Sequence, residues 1–168
     1  EKLNSFYKYC LLENIVSGDP TTLLEAPKLK RILPDTLSFE EIENIISQID
    51  LSKPEGERNK AMFETMYSCG LRVSEAVNMK ISNIFSDEGF VKVTGKGNKE
   101  RLVPIGNVAL KQIKIYKEQV RCHIPAIKGF EDILFLNRRG KSLTRQMIFL
   151  IIKAHAALAG IKKKISPH

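Results

Sequence analysis

Cysteine is scarce: Cys10, Cys69 and Cys122 are the whole complement. An odd number without C-x-x-C spacing, beside three histidines that do not cluster, excludes a disulfide framework and a conventional zinc site, so no metal is expected. A reduced, cytoplasmic setting follows. No apolar run approaches the length a bilayer requires, and neither a signal peptide nor a lipidation motif is present, so no membrane partner is expected. Aromatics make up only 7% of the chain, which argues against an RNA surface built on base stacking. Internal repeats and low-complexity tracts are missing too. Acidic residues are in deficit: 19 Asp+Glu face 27 Lys+Arg, a net charge of +8. That balance is the footprint of a polyanion binder, although a lysine-rich solvated face has the same composition.

What remains is ample for a folded core. The 168 residues are 43% apolar and suit one domain with an extra element. Leu3, Phe6, Tyr7, Cys10, Leu11 and Ile15 recur at spacings of three and four, which predicts a helix over 2–16 with nothing local to pack on. The chain opens on Glu inside this pattern and reads as a piece of something longer. Residues 17–37 carry Gly18, Pro20, Pro27 and Pro34 with the basic run Lys28, Lys30, Arg31, and read as an extended linker.

Ser38 and Glu41 then spell a capping box ahead of a stripe of Ile42, Ile45, Ile46 and Ile49. A further helix over 57–69 turns Met62, Met66 and Cys69 inward, and Val73 to Met79 adds a short one. Glu75 there is expected to brace neighbouring backbone or a basic side chain. A long helix from Asn107 to about Cys122 places Val108, Ile113 and Tyr116 among its apolar positions. Ile133 to Phe135 reads as a short buried strand or extended piece. Thr144 caps a helix running to Ala159, and Gly160 ends it.

The most informative stretch runs from Cys69 to Arg101. Gly70 is placed as the C-cap of one helix, and Arg72 opens the next, held by backbone on both sides. Phe90, Lys92 and Thr94 alternate with Val91 and Val93. The chain then turns through Gly95-Lys96-Gly97-Asn98 into Leu102-Val103-Pro104-Ile105, a hairpin with Lys96 at its tip. Arginine matches two phosphate oxygens with its planar fork, and lysine is a point charge able to give up a proton. Together on a basic surface they suggest a phosphodiester, clamped by Arg72 with Lys96 near a leaving oxygen. Taken singly, Arg72 reads first as a surface ion pair with Glu75, and Lys96 as an ordinary solvated turn residue.

Gly70-Leu-Arg-Val-Ser-Glu75, followed by Gly95-Lys-Gly-Asn-Lys-Glu-Arg-Leu-Val-Pro104, resembles the tyrosine recombinase (phage integrase) family, and closely its Xer-type bacterial members. Both motifs stand in the family's order and spacing, and the likeness runs over nearly the whole chain. Asn83 departs from it, standing where the family usually has aspartate. The resemblance implies a mostly helical α+β fold with a small antiparallel sheet. Its implied layout is the last helix of an N-terminal core-binding domain at 1–17, an interdomain linker at 18–37, and at 38–168 a catalytic domain lacking its C-terminal helices. Losing those helices is expected to bare apolar surface on the helices at 57–69 and 144–159.

The resemblance also implies chemistry. In the family a tyrosine attacks the scissile phosphate and holds the strand as a 3′-phosphotyrosine, so neither ATP nor a metal is needed and no cofactor is expected. Matched residue by residue, Arg72 is the first arginine, Lys96 the acid that protonates the leaving oxygen, and His168 the histidine. The second arginine and the nucleophile have no counterpart here. Tyr7, Tyr9, Tyr67 and Tyr116 precede His168 and read as core or surface aromatics, and His123 and His155 as ordinary residues. DNA contacts are implied for Lys99, Arg101, Arg145, Lys28, Lys30 and Arg31, and Lys162 to Lys164 reads as a solubilising or a phosphate-contacting triplet. The implied partners are a double-stranded recombination site and further protomers, four on two duplexes. The expected function is that of a DNA-binding fragment of a site-specific recombinase, inactive alone and active in its parent. The alternative is a non-catalytic DNA-binding module or decayed recombinase.

Overall fold

The computed structural model describes residues 2–22, 35–163 and 165, with the side chains of Lys2 and Lys96 left aside. The chain forms two compact units, Glu1–Pro34 and Asp35–His168. In the first, helix α1 spans Lys2–Leu12. It stops short of Ile15, so that residue leaves the expected stripe. Leu3, Phe6, Leu11 and Ile15 are exposed and Cys10 is buried.

The second unit is mostly helical, with helices α2 (Phe39–Ser47), α3 (Gly56–Cys69), α4 (Val73–Val77), α5 (Asn107–Gln119) and α6 (Arg145–Leu158). Strands β1 (Ile84–Phe85), β2 (Phe90–Thr94) and β3 (Glu100–Pro104) form one antiparallel sheet in the order β1-β2-β3. The α+β expectation therefore holds. Helix α3 is the hub, packing along α5 and touching α2, α4 and β3. Its Ala61, Met62, Phe63, Thr65 and Cys69 are all buried, too many for a single face. Burial pushes the Cys69 thiol up to about 11, which keeps it protonated and inert. Sheet residues Val91 and Val93 point into the same core as Ile113 and Tyr116 of α5.

Several local expectations are met in detail. Ser38 accepts from the Glu41 N–H at 3.2 Å while the Glu41 carboxylate accepts from the Ser38 N–H at 2.7 Å. Thr144 Oγ1 accepts from Met147 N–H at 3.1 Å, capping α6. Ile45 and Ile49 are buried, and Ile42 and Ile46 are half-buried. Others are corrected. Helix α5 ends at Gln119, not Cys122, and a single 3-10 turn over Arg121–His123 follows. Arg121 is drawn down there because its guanidinium donates to the Ile133 and Glu131 carbonyls. Val108 is 66% exposed, since its place in the first turn of α5 faces away from α3. Ile133 forms only an isolated bridge with Lys80, and Leu134 and Phe135 lie in a bend, so residues 133–135 are not a strand. Leu134 and Phe135 are nonetheless fully buried, with Phe135 stacked on Tyr116 at 5.9 Å between ring centroids.

The apolar surface expected on two helices is found mainly on one. Phe149, Leu150 and Leu158 of α6 are exposed, whereas α3 exposes only Tyr67 among its large apolar residues. No described helix is long and apolar enough to cross a membrane.

Candidate DNA-phosphate site

Arg72 is placed by two consecutive backbone devices. Gly70 takes a left-handed conformation (φ 56°), which a residue with a Cβ adopts only at a cost, and so ends α3. Leu71 N–H then donates to the Met66 carbonyl at 3.0 Å and Gly70 N–H to the Tyr67 carbonyl at 3.4 Å, the paired bonds of a Schellman motif. Leu71 is buried beneath this turn. Arg72 follows at once in extended conformation (φ −68°, ψ 153°) as the N-cap of α4. Its carbonyl accepts from the Glu75 and Ala76 N–H groups at 2.9 and 3.0 Å, and its own N–H donates to Glu75 Oε2 at 2.8 Å. The backbone is thus fixed on both sides, as expected, while the side chain stays 69% exposed.

Glu75 is the pivot of the site. Its side chain is only 2% exposed and takes four hydrogen bonds. Besides the Arg72 N–H, it accepts from Arg72 Nη1 at 3.3 Å and from both Arg101 terminal nitrogens, Nη1 to Oε1 at 2.7 Å and Nη2 to Oε2 at 3.0 Å. The Arg101 fork above all, helped by the Arg72 N–H, holds this carboxyl down to about 2 against the opposing pull of burial. Glu75 in turn raises the Arg101 guanidinium above its ordinary value. The expected bracing role is therefore met, and the ion pair with Arg72 and the exposure of Arg72 coexist.

The hairpin comes to the same point. Strand β2 pairs with β3 from Phe90↔Pro104 to Thr94↔Glu100, which puts Arg101 opposite Val93. Gly95 N–H donates to the Lys99 carbonyl at 2.8 Å and closes the turn. Inside that turn Gly97 lies at φ 75°, a conformation that favours glycine. A Cβ on Gly95 would stand 3.4 Å from Arg101 Nη1 and 3.5 Å from Glu75 Oε1, so the turn begins against the Glu75–Arg101 pair. Lys96 is the next residue, and its backbone lies at the hairpin tip. Between α4 and the hairpin lies a polar cleft of about 390 Å³, lined by Glu75, Asn78, Lys80, Lys92, Gly95 and Asn98 among others.

The remaining expected site residues are dispersed. Lys99 is exposed just before β3, and Arg145 is exposed in the first turn of α6. Lys28, Lys30, Arg31 and His168 lie outside the described residues. Lys163 bonds Glu41 Oε2 at 2.7 Å and the Thr36 carbonyl at 3.2 Å, so it anchors the start of α2. Of the tyrosines, Tyr116 is fully buried, with its hydroxyl accepting from the Leu136 N–H at 3.3 Å. His155 bonds the Ile151 carbonyl and meets Phe63 edge-on. No described group of three or more His, Cys, Asp or Glu is placed to hold a metal ion.

What sequence reasoning missed is the Glu75–Arg101 pair, between residues 26 apart. The only signal available was that Glu75 sits three residues after Arg72, which marks a capping carboxylate but not its second partner.

A model of the phage integrase family matches residues 35–168, the whole of the second unit. The chain belongs to the phage integrase family. Within it, the chain is 39% identical over 166 residues to the tyrosine recombinase XerD of Staphylococcus aureus, covering 99% of this chain and 56% of that protein. A crystal structure of XerA recombinase matches with a TM-score of 0.69 at 26% identity, over 99% of this chain and 56% of that one. A lambda integrase tetramer bound to a Holliday junction shares the fold, with a TM-score of 0.72 at 17% identity over 98% of this chain and 45% of that one. This integrase-family chain thus spans about half the length of the relatives it matches.

Proposed function

We propose that this chain is the DNA-engaging part of an Xer-type site-specific recombinase acting in the cytoplasm. The whole protein would cut and rejoin duplex DNA through a 3′-phosphotyrosine, in chromosome dimer resolution or in integration. The observation that carries the reading is Arg72, whose backbone is locked by the end of α3, the start of α4 and Glu75 while its guanidinium remains 69% exposed. Such an arginine is preorganised to meet an anion without rearranging. The adjoining hairpin tip carries Lys96 within the same neighbourhood.

In this mechanism a tyrosine oxygen attacks phosphorus, the bond to the 5′ oxygen breaks, and Lys96 delivers the proton that the leaving 5′-hydroxyl needs. Arg72 balances the charge that builds on the non-bridging oxygens, and His168 assists as acid or base. Tyr116 is buried and bonded to Leu136, which makes it unsuitable as the attacking group. No residue of this chain matches the family's nucleophile or its second arginine. Lys99 and Arg145 serve as backbone contacts, and Lys28, Lys30 and Arg31 belong to the connector over 18–37, between a core-binding helix at 1–17 and the catalytic domain at 38–168. Other protomers complete the assembly on two duplexes.

The test is duplex binding by the 168-residue chain across a salt series. Affinity should fall linearly on logarithmic axes, and Arg72→Ala should weaken it and flatten the slope by about 0.9, the value for one lost phosphate contact. An unchanged slope in Arg72→Ala would remove the phosphate assignment. With a nicked duplex the chain should form no adduct that survives denaturation. Finding one would place the nucleophile inside this chain and overturn the proposal.

A further inference from the structure

Two arginines converge on one carboxylate, yet their situations differ. The Arg72 side chain donates one hydrogen bond at 3.3 Å and is 69% exposed, whereas Arg101 donates two, at 2.7 and 3.0 Å, and is 40% exposed. The Arg101 fork takes both Glu75 oxygens, so it sets the orientation of the carboxylate plane. That plane aims Oε2 at the Arg72 N–H and Oε1 at Arg72 Nη1. The same pair abuts Gly95, the residue immediately before Lys96.

We infer that Arg101 is a positioning residue: by clamping Glu75 it fixes the N-cap geometry of Arg72 and joins the hairpin bearing Lys96 to α4, and it makes no phosphate contact itself. This reassigns Arg101 from the set of DNA contacts, and it rests on the reading of Arg72 as the phosphate ligand. Lysine in place of arginine keeps the positive charge that a phosphate contact uses. It does not keep a clamp on two oxygens, because lysine has no fork.

The test uses the 168-residue chain and two readouts. The first is hydrogen exchange of the Arg72 amide without DNA. Arg101→Lys and Arg101→Met should both speed it at least about tenfold, since the carboxylate that accepts the Arg72 N–H is then no longer held through both oxygens, while amides within α3 keep their rates. The second is affinity for a short mixed-sequence duplex in a double-mutant cycle. Arg101→Met should cost nothing further once Glu75→Gln is present. An Arg72 amide unchanged in Arg101→Lys, equal acceleration across α3, or additive losses in the cycle would each overturn the inference. Failure of the functional reading looks different: the exchange result would stand while Arg72→Ala left duplex binding and its salt slope untouched.

Discussion

Glu75 and Glu41 occupy the same local position, the third residue of a helix, and each carboxylate accepts the N–H of its own N-cap residue. Each also attracts a base from far along the chain, Arg101 for Glu75 and Lys163 for Glu41. Their settings nevertheless diverge. The Glu75 side chain is 2% exposed and meets two guanidinium groups, one through both oxygens, whereas that of Glu41 is 26% exposed and meets one ammonium group. The difference teaches that a capping motif supplies geometry alone. Burial and the shape of the cation decide whether the motif becomes a junction between elements or remains a helix start.

Breaking the buried member should have the largest effect. Glu75→Gln removes the buried charge and turns one of the two acceptor oxygens into an NH2 donor facing a guanidinium, and should destabilise the second unit by about 2–3 kcal/mol in chemical denaturation. The pH dependence sharpens the same point. Glu75 titrates in the folded chain near 2, below its ordinary 4.5, so its stabilisation is present above pH 4.5 and disappears as pH falls toward 2. Acid unfolding monitored by circular dichroism should therefore lose part of its steepness in that window in Glu75→Gln. An identical acid transition in the two proteins would contradict the pairing.

Smaller effects belong to the exposed member. Ser38→Ala deletes the cap of α2 and should cost about 1 kcal/mol, read from the thermal midpoint. Lys163→Ala should shift the thermal midpoint least of all, and high salt should abolish what shift there is, as for any exposed ion pair.

Much of this architecture was legible along the chain. The cap at Ser38, the stop at Gly70, the alternation of β2 and the Thr144 cap each depend on residues within a few positions of one another, and each is met. The limits of α1 and α5 were less legible because periodicity continues past the point where hydrogen bonding stops. Val108 fits the apolar period of α5, yet it lies on the side away from α3. At the candidate site, the locked backbone of Arg72 was foreseeable from Gly70 and Glu75, whereas the engagement of Arg101 was not. Its place on β3 is set by the register of the hairpin, and α4 reaches it only because α3 and the sheet share one core.

Short-range patterning was sufficient to give the helices, the hairpin and the family motif, since caps, turns and alternation act through neighbouring backbone groups. Which acid meets which base was settled by packing. Arg101 reads as one more surface cation until the folded chain brings it onto a carboxylate removed from water, where attraction between charges is less screened than at an open surface.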